Sequence, residues 1–493
     1  MREKLILVVI LVFAVFAVLS PWLVNEAPYI GDAWIHLKKS EDIIAQGKLR
    51  FEEYNDMWPL VNLIIAFYSM VLDLPPLMAT QIIPFLVSLS TINLYIISSR
   101  ISRNSYAAFS TCMALILTPL YTFITFGSAV MKETAAFYMA TLLIAYLLIG
   151  RPSLVCFLLL SFGLVVGHHF ASLALFILLL SVLAEDISDM LGGDAPYLKR
   201  DLVMASVFSV SLFSWGFFVL SRVGWFLPVS GNTLLIAMFA WFGVYVVSRM
   251  GRFSSVGLQA LLIPLAALAW RGHLHDIPTP VSPTSIWEVR DLIIFMVPAL
   301  AGLAFFWKDR IVRAMLVSTT TLIVFSLISG LDHSGLIVFT KSLHYYCVFL
   351  ALIFGLSWSL ILRKRFGKVF LILASICLVL ASIFGIGLAL NGPGAYHDVE
   401  YVQLEGLRDK LGEPLVMDLK LYYLSEYLGV GRSIFHKLGQ GEYVLLTRSN
   451  LVHGVLLDYV WVDLSLYMPY HVMFSCDRLF DGGYLRVLRV NNV

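Results

Sequence analysis

One carboxylate placed to take a proton, a second beside a cation, and a pair of imidazoles are the side chains here with the clearest chemistry. Asp32 stands in Tyr29-Ile30-Gly31-Asp32-Ala33-Trp34-Ile35-His36-Leu37, with His36 one helical turn beyond it. Lys132-Glu133 and His168-His169 follow, then Arg271 with His273, His275 and Asp276. Asp332-His333 and Lys341 with His344-Tyr345-Tyr346 complete the set. A single carboxylate can act as a general base toward a hydroxyl. Arg271, Lys341 and His344 can grip a phosphate, the guanidinium through two parallel N–H groups. His36, His168 and His169 can contact an acceptor, a phosphate or a metal ion. Asp32, Glu133, His168 and His169 are the candidate ligands for a divalent cation, Mg or Mn.

Each of these sets also has a structural reading. Asp32 can cap the helix that follows it, and Glu133 can sit favourably at a helix start. His168-His169 can join two helices, while Arg271 and Lys341 can be headgroup anchors. The segment His273-Leu274-His275-Asp276 has metal-like residue types but leads into a Pro-rich loop.

The elements that must position these groups are membrane spans. Apolar residues form 59% of the 493 and charged residues 13%, against about 45–50% and about 25% in soluble chains. The mean hydropathy is +0.86, so most of the chain faces something other than water. The expected fold class is a polytopic α-helical membrane protein with about thirteen transmembrane helices. The first span runs from Leu5 to Val24, read as a retained anchor. The others cover roughly 76–98, 105–126, 133–149, 152–167, 168–184, 202–221, 231–248, 255–270, 291–307, 311–330, 343–362 and 369–390. Arg100 and Arg103, Arg151, Lys199 and Arg200, Arg249 and Arg252, Lys308 with Arg310 and Arg313, and Arg363-Lys364-Arg365 with Lys368 all fall on alternate loops. The positive-inside bias makes those loops cytoplasmic, with the N-terminus in and the C-terminus out. That parity requires the short run Trp58–Leu72, which contains Asn62, to lie at the interface and not cross.

Residues 1–390 therefore read as a membrane domain with an exterior loop over 25–75. Residues 391–493, after the breaker Asn391-Gly392-Pro393-Gly394, read as a small exterior α/β domain. Cys112, Cys156, Cys347 and Cys377 lie in spans and Cys476 stands alone in the tail, so no disulfide framework is expected. The spans carry almost no midplane charge, which weighs against an ion-coupled transporter.

The layout resembles the GT-C superfamily of integral-membrane glycosyltransferases, which includes protein O-mannosyltransferases and the aminoarabinose transferase of lipid A. Gly31-Asp32, the helix Ala33–Ala45 and Gly47 resemble the first exterior loop of that family, where its catalytic Asp lies. Trp58-Pro59-Leu60 is similar to its Pro-led juxtamembrane helix, and Glu133 stands where a second acidic residue precedes a span. The chain departs from the pattern at Ala33, where many members have a second acidic residue. It has no WWDYG-like sequence, which argues against oligosaccharyltransferase activity proper.

The resemblance implies transfer of a sugar from a polyprenyl- or dolichyl-phosphate donor to a protein, lipid or glycan acceptor, with Asp32 as base and Glu133 assisting. Membrane lipids are the other expected partners and nucleic acid is not one. The expected location is the cell membrane, with the active site and C-terminal domain outside. The competing readings are a carrier for lipid-linked sugars and a non-catalytic assembly protein.

Overall fold

A computed structural model describes residues 2–23, 32–117, 128–148, 153–193, 196–224, 231–275, 298–328 and 333–361. Beyond these it describes residues 369, 372–373, 376, 379, 398–407, 415–434, 436, 438, 440–453, 455–458, 460–464, 476–482 and 484–491. The expected span over 369–390 and the residues Gly31, Asp276 and Asp332 thus fall wholly or almost wholly outside the described residues.

The long apolar runs become helices because nothing in a bilayer can satisfy a free backbone amide. In chain order the helices, including the amphipathic α2, are α1 (Arg2–Leu19), α2 (Asp32–Gln46), α3 (Leu60–Leu72), α4 (Ile82–Ser102) and α5 (Ser105–Ile116). There follow α6 (Lys132–Leu147), α7 (Leu154–Gly167), α8 (His169–Leu191), α9 (Leu198–Val223) and α10 (Gly231–Arg249). The last of the helical part are α11 (Arg252–His275), α12 (Arg310–Ile328) and α13 (His333–Ile361). Among the described residues, five helical stretches are long and apolar enough to cross a membrane: Glu3–Leu23, Pro76–Ser102, His169–Leu191, Leu198–Val223 and Arg310–Ile328. Shorter apolar helices, α3, α5 and α7 among them, pack beside these. The 13 residues of α3 reach only about 20 Å, short of the roughly 30 Å hydrocarbon thickness.

Side chains sort by what surrounds them. Phe13 and Phe16 on α1, Phe213 and Phe217 on α9 and Phe239 on α10 are exposed, an arrangement that suits lipid and not water. The interior is one apolar cluster built largely from α4, α5, α6, α8, α12 and α13. Helices α5 and α13 meet so closely that a Cβ on Gly355 would lie 2.0 Å from Thr111 Oγ1; only a residue without a side chain allows that approach.

At one end of the bundle a set of charges is buried together. Glu185 on α8 accepts from Arg249 of α10 at 2.8 Å and from Arg313 of α12 at 2.8 Å. Arg310 binds both Asp186 and Asp201, and Arg200 also reaches Asp201. Arg200, Arg249, Arg310 and Arg313, expected on the sequence as loop cations, therefore lie within helices and neutralise acids. Charge counting alone does not show this, because an arginine at or near a helix end can fold back onto a neighbouring helix.

The C-terminal segment is α/β. It contains α14 (Asp398–Leu407), β1 (Leu415–Met417), α15 (Leu419–Leu428), β2 (Arg432–Ile434) and β3 (Tyr443–Thr447). These are followed by β4 (Val455–Asp458), β5 (Val460–Asp463), β6 (Asp477–Asp481) and β7 (Leu485–Arg489). The sheet order is β2-β1-β3-β7-β6, with β1 parallel to β2 and β3 and the rest antiparallel; β4 and β5 form a separate ribbon. Strand alternation sends Leu415, Met417, Leu445, Leu485 and Val487 to one face and Val416, Val444, Leu446 and Leu488 to the other. Asp418 caps α15 by accepting from Leu421 N at 3.0 Å, and Gly429 ends it at φ 71.

Candidate functional site

Asp32 opens α2, a helix that touches two partners. Ala33 packs with Val61, Ile65 and Ala135 on the bundle side, while Trp34 and Leu37 join the core of the C-terminal segment. Because these faces differ by only one residue in sequence, the helix rotation is fixed and the Asp32 carboxyl is carried to within electrostatic reach of Lys132 at the start of α6 and Lys341 on α13. Burial raises its pKa, opposed by the nearby ammonium groups of Lys132 and Lys341.

Those two lysines bracket the site. Lys132 Nζ donates to Asn55 Oδ1 at 2.6 Å and lies 5.4 Å from the centre of the Tyr54 ring. Lys341 Nζ lies 3.6 Å from Glu133 Oε2 and 3.4 Å from His168 Nε2. His344, one turn further along α13, places Nδ1 3.4 Å from Glu133 Oε1. Glu133, itself buried, thus faces one cation and one imidazole from the same helix. The i, i+3 spacing of Lys341 and His344 produces this bite, since it sets both side chains on one helix face.

His168 joins α7 to α8, with an extended backbone (φ −165) between the two helices. Its Nδ1 accepts from Ala171 N at 3.4 Å, which assigns the proton of the neutral ring to Nε2. With that tautomer, Nε2–H and the Lys341 ammonium are two donors 3.4 Å apart, a pair that a shared oxyanion would satisfy. His169 Nδ1 bonds the Tyr54 hydroxyl at 3.1 Å, and its ring packs 5.2 Å from Trp58 and 4.7 Å from His168.

Of the residues singled out from the sequence, Glu133, His168, Lys341 and His344 meet in direct contact, with His169 beside them and Asp32 within electrostatic reach. His36 goes elsewhere: it is enclosed between α2 and α3, with Nδ1 2.7 Å from Asn62 Oδ1. Burial and the charge of Lys132 hold its pKa down to about 3, so the ring is neutral at any ordinary pH. The Arg271 side chain, with those of His273 and His275, lies outside the described residues. Asn55 and Asp56, the latter paired with Lys39, draw no attention in the sequence. Their only signal is the polar pair Asn55-Asp56 between Tyr54 and Met57-Trp58.

As placed among the described residues, Glu133, His168 and Lys341 do not by themselves suit a divalent ion. Among the described residues no group of three or more His, Cys, Asp or Glu is arranged to hold a metal. Lys341 stands between the Glu133 carboxylate and His168, so a cation there would meet an ammonium. The same arrangement suits an anion.

No family model matches the chain, and comparison with curated proteins finds no relative. Solved structures do match. The oligosaccharyltransferase of Archaeoglobus fulgidus, in a complex with Zn and sulfate, aligns with a TM-score of 0.58 at 12% identity, covering 99% of this chain and 73% of that one. The archaeal oligosaccharyltransferase AglB of that organism, in complex with an inhibitory peptide and a dolichol-phosphate, aligns at 0.53 and 12% identity. The fold is the one these oligosaccharyltransferase structures have, in line with the GT-C resemblance. In the AglB comparison 87% of this chain is covered, and the chain spans 60% of the length of AglB. The aminoarabinose transferase ArnT of Cupriavidus metallidurans, bound to undecaprenyl phosphate, also matches, at 15% identity and a TM-score of 0.43 over 98% of this chain and 97% of that one. The GT-C fold rests on the two oligosaccharyltransferase alignments, and at these identities it extends to architecture and not to individual side chains.

Proposed function

We propose that this chain is a membrane glycosyltransferase that moves a sugar from a polyprenyl-phosphate-linked donor to an acceptor hydroxyl. The observation that carries the reading is the joint placement of one half-buried carboxylate, Asp32, beside two ammonium groups and a pair of histidines on a GT-C fold. AglB was solved with a dolichol-phosphate and a peptide, which supports a lipid-phosphate donor and a separate acceptor in kind.

In this mechanism Asp32 takes the proton of the acceptor hydroxyl as the oxygen attacks the anomeric carbon. The bond from that carbon to the phosphate oxygen breaks, and its electron pair leaves on the lipid phosphate. One displacement inverts the anomeric centre and needs one base. Lys341 and Lys132 offset the charge of the leaving phosphate and the neutral His168 ring donates a hydrogen bond to it, all acting most strongly as that charge grows. Glu133, through its contacts with Lys341 and His344, holds those two donors in place. Arg271 is proposed as a further phosphate contact and His36 as a structural tie. The site and the C-terminal segment, proposed as a domain of residues 391–493, face the exterior, with the N-terminus inside. No step is routed through a metal ion.

The test is transfer from radiolabelled dolichyl- and undecaprenyl-phosphate sugars by the purified chain in nanodiscs, with and without EDTA. Transfer undiminished by the chelator is expected. Failure with every donor would remove the proposal, and a rate abolished by EDTA and restored by Mn²⁺ would replace the lysine-based phosphate grip.

A further inference from the structure

The helix that carries Asp32 is held from the opposite side by the C-terminal segment. Trp34 is 1% exposed and Leu37 fully buried, both inside a cluster with Leu404, Leu415, Leu421 and Leu424. The Trp34 ring stacks on Tyr401 at 5.8 Å and packs against Tyr427 at 5.2 Å. One turn beyond Leu37, Glu41 accepts a hydrogen bond of 2.9 Å from the Tyr427 hydroxyl. Positions 34, 37 and 41 lie along one face of α2. Lys38 also approaches Glu426, at 3.7 Å, but this pair is partly exposed and so screened by solvent. Trp34 lies two positions beyond Asp32 on the same helix, so a change in the seating of the indole moves the carboxylate by a comparable amount.

We infer that the C-terminal α/β segment sets the position of the Asp32 carboxylate through Trp34 and Tyr427, which are positioning residues for the transfer step. The inference rests on the proposed role of Asp32. It gives the segment a task in the reaction whatever it binds itself. Small displacements of a reacting group are costly, on the order of 100-fold per ångström. A loosened α2 therefore lowers turnover without weakening the hold on the donor, because Lys132, Lys341 and His168 sit on α6, α13 and the α7–α8 junction.

The experiment uses the full chain in nanodiscs with Tyr427→Ala, Tyr427→Phe, Trp34→Phe and Glu41→Gln. Tyr427→Ala removes both the ring on Trp34 and the bond to Glu41; Tyr427→Phe and Trp34→Phe keep the aromatic contact. Hydrogen–deuterium exchange over residues 33–46 is expected to rise about tenfold or more in Tyr427→Ala, with exchange over 132–147 unchanged. In the same variant kcat falls roughly 10- to 100-fold at constant KM for the lipid donor. The two Phe variants recover most of the rate. Glu41→Gln, which disturbs no apolar packing, serves if Tyr427→Ala does not fold, with a smaller loss of the same pattern. Wild-type exchange over α2 together with wild-type kcat in a folded variant overturns the inference, as does a rise in KM at constant kcat. If the wild type transfers no sugar, the proposed function fails while the exchange measurement still decides whether the segment holds α2.

Discussion

Replacing Asp32 with asparagine separates chemistry from helix capping, because the two roles respond in opposite ways. Asparagine caps a helix as well as aspartate does, so a capping role predicts little change in either stability or rate. A base cannot be replaced by an amide. Loss of a positioned general base costs about 10²–10⁴-fold in rate, or about 2.7–5.4 kcal/mol of transition-state stabilisation. The structure also gives the sign of the stability change. Burial is the largest influence on Asp32 and outweighs the attraction of Lys132 and Lys341, so its pKa is raised. A group of this kind contributes stability below the ordinary carboxylate pKa, and that contribution is lost as pH rises through the raised value. At neutral pH the ionised carboxylate is therefore a cost to the fold, and Asp32→Asn should unfold within about 1 kcal/mol of wild type or above it. The assay pairs single-turnover transfer kinetics with chemical unfolding in the same detergent. Wild-type transfer by folded Asp32→Asn refutes the argument. So does a rate loss matched by a loss of stability, with Asp32→Ala costing more stability than Asp32→Asn.

Other outcomes follow from the same geometry. The acid limb of kcat/KM should lie above the range of an exposed aspartate, and Lys132→Met should move it higher still, because a cation that favours the ionised form is gone; a pH–rate profile checks both. Lys341→Met removes one charge-assisted phosphate contact worth about 1.5–3 kcal/mol, and donor titrations should show kcat/KM reduced roughly 10- to 150-fold. At the opposite end of the bundle, Arg313→Met leaves Glu185 buried with Arg249 alone, and unfolding should show a loss of about 3 kcal/mol, the low end for a broken buried pair. His36→Ala strands buried Asn62 and should cost about 1–3 kcal/mol at neutral pH. Since the His36 pKa is held down to about 3, wild-type stability falls with acidification from the ordinary imidazole pKa through about 3, and the variant should lose that component of the acid sensitivity.

Several features were legible from residue types and order alone. Too little charge to cover a soluble surface, together with long apolar runs, means a helical membrane chain, because a bilayer leaves no other way to satisfy the backbone over such lengths. The placement of Gly31-Asp32 after the first apolar run suggested the GT-C layout, and the fold comparison agrees. The i, i+3 spacing of Lys341 and His344 already put both on one face of a helix.

What sequence could not supply was which faces meet. Glu133 and Lys341 are brought together by α6 and α13, and the pairing decides that an ammonium stands where a cation site had been a candidate. His36 looked as available as His168, yet the rotation of α2 turns it inward to Asn62, because Ala33 and Trp34 bury against two different partners. The arginines read as topology markers fold onto Glu185, Asp186 and Asp201, acids contributed by α8 and α9. In each case residue type supplied the chemical capability. Contacts between elements distant in the chain decided its use, since burial and partner distance set what a charged group can do.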